Sequence, residues 1–168
     1  MTVTAVQKDP NALTMTVIAE FPATPERVWQ LWADPRQLER WWGPPTYPAT
    51  VDAHDLRSGG RVEYHMTGPT GDQPKGYWEV DDVQPPHRLV FRDGFLNDDG
   101  SVNDALPATA ATVTIEEAGN GQTRMSIRSQ FPSVEAMEQL VAMGMEEGLK
   151  EAVGQIDAIL AEGVKSTA

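Results

Sequence analysis

An apolar stripe near the C-terminus limits what this chain can fold into more than any other feature. Between Ser133 and Leu160, the residues Val134, Met137, Val141, Met145, Leu149, Ala152, Val153, Ile156, Ile159 and Leu160 recur at steps of three and four. That spacing puts them on one face of an α-helix. Ser133 supplies an N-cap oxygen, and Glu135 and Glu138 sit near the positive end of the helix dipole. Pro132 stops the strand before it, and Gly163 stands just past the stripe as a stop. The spacing predicts one continuous helix, roughly 40 Å long at ~1.5 Å rise per residue. No other segment matches that length, so the remaining apolar segments must cover its stripe. Gly144 and Gly148 lie one turn apart on or beside it, each costing about 1 kcal/mol against Ala in a helix interior. Two readings account for them: close approach of helix to sheet, or a void in which a ligand fits.

A chain of 168 residues fits one domain with its own core. Its charge of −12 leaves no basic stripe to displace counterions, which disfavours nucleic acid and anionic membrane as partners. The absence of Cys excludes disulfides, thiolate metal sites and cysteine nucleophiles. Met1 to Leu13 holds one Lys and no apolar run, so it does not read as a signal peptide, and no segment approaches the ~20 apolar residues of a membrane span. The expectation is a cytoplasmic protein.

Residues 1–12 read as a polar, weakly ordered lead-in, residues 13–162 as the single domain, and residues 163–168 as a flexible tail. From Thr14 to Phe21 the alternation of Met15, Val17, Ala19 and Phe21 with polar neighbours marks a half-buried strand. Thr24-Pro25 opens a helix with Val28, Trp29, Leu31 and Trp32 on its apolar side. Asp34-Pro35 then caps a second short helix carrying Leu38, Trp41 and Trp42. Six strand-like runs follow, at 50–57, 61–67, 76–83, 88–95, 109–117 and 123–131, parted by turn-rich pieces too short for parallel returns. The fold class is α+β: strand, two short helices, a six-stranded antiparallel meander, and one long helix packed on the bent sheet. Val51, Ala53, Val62, Tyr64, Met66, Leu89, Phe91, Val113, Ile115, Met125 and Ile127 are expected to face that helix.

Several strings resemble a known family. Phe21-Pro22-Ala23 with Val28-Trp29, Trp32-Ala33-Asp34-Pro35, and Leu38 with Trp41-Trp42-Gly43-Pro44 come first. Asp55-Leu56-Arg57 with Gly59-Gly60, Pro85-Pro86 with Arg88-Leu89-Val90-Phe91, and Gly144-Met145-Glu146-Glu147-Gly148 follow. Together they resemble the START-like helix-grip (SRPBCC) superfamily, in its branch named for the activator of the heat-shock protein 90 ATPase, over roughly residues 14–161. The resemblance implies a fold that holds an apolar small molecule between the long helix and the sheet. It also implies alternatives: a cyclase- or dehydratase-like enzyme on a polyketide-type ligand, or a module contacting a chaperone in a stress-response setting. A homodimer stays open, and no cofactor is expected.

The expected ligand-binding residues are Trp42, Tyr64, Met66, Trp78, Phe91, Phe95, Met137, Val141, Gly144 and Met145, because aromatics and Met form adaptable apolar walls. Trp41 and Trp42 read either as a rim or as staples between helices and sheet. Asn97 to Pro107 reads as a flap or as a solvated loop. A two-residue turn at Gly59-Gly60 would set His54 opposite His65, with Asp52 and Glu63 near, on the solvent face; no metal site is expected from ligands so exposed. Asn97-Asp98-Asp99-Gly100 with Asp104 lacks the spacing and terminal Glu of a calcium loop. No catalytic motif is present. Asp55, Asp93 and Ser129 are the polar residues expected on the helix-facing side, and burial of either Asp would make it a general acid or base. A buried ionisable group inside the cavity therefore separates an enzyme from a carrier. A filled interior with an exposed apolar patch would favour a partner protein instead.

Overall fold

The structure is a computed structural model that describes residues 3–167, with side chains described for residues 3–162. Eight antiparallel strands form a single sheet: β1 (Val3–Asp9), β2 (Thr14–Phe21), β3 (Ala49–His54), β4 (Arg61–Met66), β5 (Lys75–Gln84), β6 (Arg88–Leu96), β7 (Thr109–Gly119) and β8 (Gln122–Gln130). Their order across the sheet is β1-β2-β8-β7-β6-β5-β4-β3. The meander therefore runs β3 to β8 between neighbours, and β2 closes onto β8. Two short helices, α1 (Pro25–Ala33) and α2 (Pro35–Leu38), join β2 to β3. Thr24 and Asp34 cap them, with side-chain oxygens accepting from Arg27 N and Arg36 N. Trp41 and Trp42 lie just past α2, in turns whose amides donate to the Leu38 carbonyl.

The sequence reading needs correction at four places. Residues 3–9 are not a loose lead-in but an edge strand paired with β2, which makes the strand count eight. The terminal rod is three helices, α3 (Val134–Ala142), α4 (Met145–Val153) and α5 (Ile156–Thr167). Gly144 interrupts it with φ at +93°, a left-handed conformation only glycine adopts cheaply, and a second break falls at Gly154-Gln155. Gly163 is no stop, since α5 runs to Thr167. The β3–β4 hairpin is also wider than a two-residue turn. Its register shifts between Val51 and Ala53, so His65 faces Thr50 and His54 faces Val62, and Ala53 turns out to solvent.

The helices cover one face of the sheet in two apolar clusters. The larger gathers Trp32, Trp41, Trp78, Phe91, Val113 and Ile127 with Val153, Ile156 and Leu160 from α4 and α5. The smaller holds Met15 and Phe131 against Met137 and Leu140 of α3. Gln155 Nε2 donates to the Gly43 carbonyl at 2.6 Å, pinning the α4–α5 junction to the turn after Trp42. Val134, at the head of the stripe, is exposed. No helix among the described residues is long and apolar enough to cross a membrane.

Candidate functional site

A cavity of about 290 Å³ lies between the sheet and the C-terminal helices, beneath the break between α3 and α4. The helices contribute Leu140, Met143, Gly144, Met145, Gly148 and Leu149 to its wall. The sheet contributes Tyr64 and Met66 from β4, Phe91, Asp93 and Phe95 from β6, Thr109 and Ala111 from β7, and Ile127 and Ser129 from β8. Trp42, Pro44 and Pro107 complete it.

Trp42, Tyr64, Met66, Phe91, Phe95, Gly144 and Met145, all expected at the site, do line this space. Trp78, Met137 and Val141 do not. Trp78 is fully buried, stacked on Phe91 with ring centroids 4.1 Å apart, and Trp42 stands edge-on against it at 4.9 Å. Met137 and Val141 belong to the smaller cluster instead. Leu140 lies in regular α3, one turn before Gly144 and two before Gly148, so helical spacing alone marks it, whereas Met143 stands in the break between α3 and α4. Ala111 and Ile127 follow from strand alternation. Thr109, two residues before Ala111 on β7, follows from the same alternation, whereas Pro44 and Pro107 carry no sequence signal that sets them apart.

The two glycines of the stripe leave room rather than allow close approach. A Cβ built on Gly144 or Gly148 meets no atom within 4 Å. Trp41 is a staple: it is buried, and its Nε1 donates to the Leu31 carbonyl at 2.9 Å. The segment after Phe95 folds back on itself, with a bridge from Leu96 to Val102 and Asn103 N donating to the Phe95 carbonyl, before Pro107 reaches the cavity.

The polar chemistry of the wall centres on Asp93. Asp93 on β6 pairs with Trp78 on β5, two residue pairs along from the Gly76–Phe95 pair. Tyr64 on β4 faces Gly76 and reaches across it, donating its hydroxyl to Asp93 Oδ1 at 3.0 Å. That reach needs glycine: a Cβ at position 76 would lie 2.4 Å from both Tyr64 Cζ and Oη. Burial pushes the Asp93 carboxyl up to about 7, with the Tyr64 hydrogen bond acting the other way. Asp93 is half-buried as a residue and lines the cavity. Burial, and then the Asp93 charge, hold the Tyr64 hydroxyl well above its ordinary range. The Trp42 indole N–H opposes this, although its geometry falls short of a full hydrogen bond.

The other candidates lie elsewhere. Asp55 is at the surface, paired with Arg57 at 2.9 Å. His54 Nε2 donates to the Trp32 carbonyl at 3.0 Å, while His65 Nδ1 donates to Asp52 at 2.8 Å, so the hairpin does not bring the two imidazoles together. Asp99 is used within its own turn, accepting from Ser101 N and Oγ.

A single antiparallel sheet gripping C-terminal helices, with a largely apolar hollow between them, is a helix-grip domain of the START-like kind. The chain belongs to the family described as activator of Hsp90 ATPase homolog 1-like protein, whose model matches residues 22–161. It is similar to protein Ms6760 from Mycobacterium smegmatis at 49% identity and a TM-score of 0.87, over 94% of this chain and 96% of that one. A protein from Arthrobacter aurescens is likewise 49% identical, with a TM-score of 0.92 over 96% of this chain and 93% of that one. DynU16, from the dynemicin biosynthetic locus, shares the fold at 24% identity and a TM-score of 0.62, over 90% of this chain and 48% of its own. No curated protein matches.

Proposed function

We propose that this protein binds an apolar or aromatic small molecule in the hollow between its C-terminal helices and the sheet, carrying or sequestering it. The observation that carries this reading is the cavity of about 290 Å³ left open at Gly144 and Gly148, with aromatic and Met side chains around it. The chaperone-docking alternative is the one that a filled interior with an exposed apolar patch would favour, and the interior here is hollow. The large apolar side chains exposed among the described residues are Val102, Val134 and Met143. Titration with naphthalene-2-methanol, followed by Trp fluorescence, tests the reading. Saturable binding tighter than ~1 mM is expected for a fragment of that size. Gly148→Phe, which puts a benzyl group into the open space, should abolish it; unchanged binding in that variant would remove the proposal.

One observation favours chemistry as a second reading. Asp93 is a buried ionisable group inside the cavity, poised at about 7, and such a carboxyl can donate and accept protons at neutral pH. Native mass spectrometry of protein purified from its own host separates the two. A carrier shows one and the same bound mass in wild type and Asp93→Asn, at whatever occupancy, whereas an enzyme blocked in proton transfer retains unconverted substrate, a different mass, in the variant.

A further inference from the structure

The polar inventory of the cavity narrows what its occupant must carry, given the binding reading above. The wall holds a single carboxylate, Asp93, and no Lys, Arg or His. Asp93 Oδ1 is taken by the Tyr64 hydroxyl. Oδ2 has no hydrogen bond among the described residues, and it is not sealed off by protein atoms. An anionic head group seated here would meet a like charge with no cation to offset it. A pure hydrocarbon would dry the oxygen without giving it a partner.

A protonated amine satisfies both conditions. It donates to Oδ2 in a charge-assisted hydrogen bond, and it is attracted to the ring faces beside it. Trp42 supplies such a ring, with its centroid 6.0 Å from that of Tyr64 and 6.4 Å from that of Phe91, so the three rings form one aromatic wall next to Asp93. The Tyr64–Asp93 pair is also held in place by the backbone itself, since Tyr64 lies in the space that a side chain at Gly76 would fill. At long range the net charge of −12 draws cations and repels anions. We infer that the cavity takes an aromatic or apolar amine, its charged nitrogen seated against Asp93 Oδ2.

Three probes of one shape test this by calorimetry: naphthalene-2-methylamine, naphthalene-2-methanol and 2-naphthoate. In the wild type near neutral pH the amine should bind about tenfold tighter than the alcohol, with the carboxylate weakest. Asp93→Asn should erase the preference for the amine, bringing the amine and alcohol affinities to within about threefold of each other. A second measurement needs no variant. Asp93 and Tyr64 are the titratable groups in the wall, and Tyr64 stays neutral, so amine binding should release protons from Asp93 in buffers of differing ionisation enthalpy. Alcohol binding should release none. Equal affinities for amine and alcohol, or an amine preference that survives Asp93→Asn, would overturn the inference and leave the cavity as a binding site. Failure of all three probes to bind would overturn both.

Discussion

Gly76 lacks a side chain where Tyr64 needs the space, and that local fact couples a glycine on β5 to an acid on β6. Gly76→Ala would set a Cβ 2.4 Å from the phenol ring, and a rigid aromatic cannot yield by that much without leaving Asp93. Overpacking of this kind costs roughly 1–3 kcal/mol, read as a lower denaturation midpoint. The Asp93 carboxyl should rise further, because the hydrogen bond that favours its ionised form is gone. Asp93 also gives stability a pH dependence of definite sign. Its folded value of about 7 lies above the ordinary 3.8, so across that interval the folded state binds more protons than the unfolded one. Stability therefore declines as pH rises through the interval and levels off above it. Asp93→Asn lacks this slope and keeps an acceptor for the Tyr64 hydroxyl. Its stability relative to wild type should improve by about 1–3 kcal/mol between roughly pH 5 and pH 8. A difference that stays flat over that range would mean that Asp93 is not held protonated by burial.

At the scale of elements, the C-terminal rod shows how a sequence pattern can be read correctly face by face and still mislead about continuity. Steps of three and four persist through Gly144 because α3 and α4 present the same side to the sheet on either side of the break. Hydrophobic spacing registers the face and is blind to a left-handed residue between two helices. The composition did mark the place, since two glycines one turn apart are costly in a stripe, and the cavity lies beneath them. The two glycines should nevertheless respond in opposite ways. Neither Cβ would meet an atom within 4 Å, so packing does not separate them. Gly144 has φ at +93°, and Ala there should destabilise by about 1–2 kcal/mol. Gly148 sits in regular helix, where Ala should stabilise by about 0.5–1 kcal/mol through lower unfolded-state entropy. Gly148→Ala should also weaken binding of naphthalene-2-methanol, because the methyl group enters the hollow. Chemical denaturation and fluorescence titration of the two variants check both signs.

For the whole molecule, the order of elements was legible because each long strand alternates and each turn carries its Gly or Pro. The cavity's composition is legible in part: aromatics follow from type, and Leu140 and Thr109 from spacing, whereas Met143, Pro44 and Pro107 depend on how helices, loops and strands meet. The first strand was missed for a local reason. The register shifts between Val3 and Ala5, which breaks the period-two signal, and the strand ends on the charged Lys8 and Asp9, as an exposed edge does. Its role can be weighed against that of its one ion pair. Lys8 meets Glu146 on α4 at 2.6 Å, but both groups reach water, so Lys8→Ala should leave the unfolding transition unmoved within error. The strand itself does more, since Val3 and Val6 pack on the core and residues 3–9 hydrogen-bond along β2. Removing residues 1–10 would uncover those apolar contacts and turn β2 into an edge with unpaired amides and carbonyls. The expected outcome is a loss of roughly 2–4 kcal/mol and a tendency to self-associate, visible by size-exclusion chromatography. A truncated chain that stays monomeric with an unchanged melting temperature would show that β2 needs no cover, and that the gripping sheet is complete with seven strands.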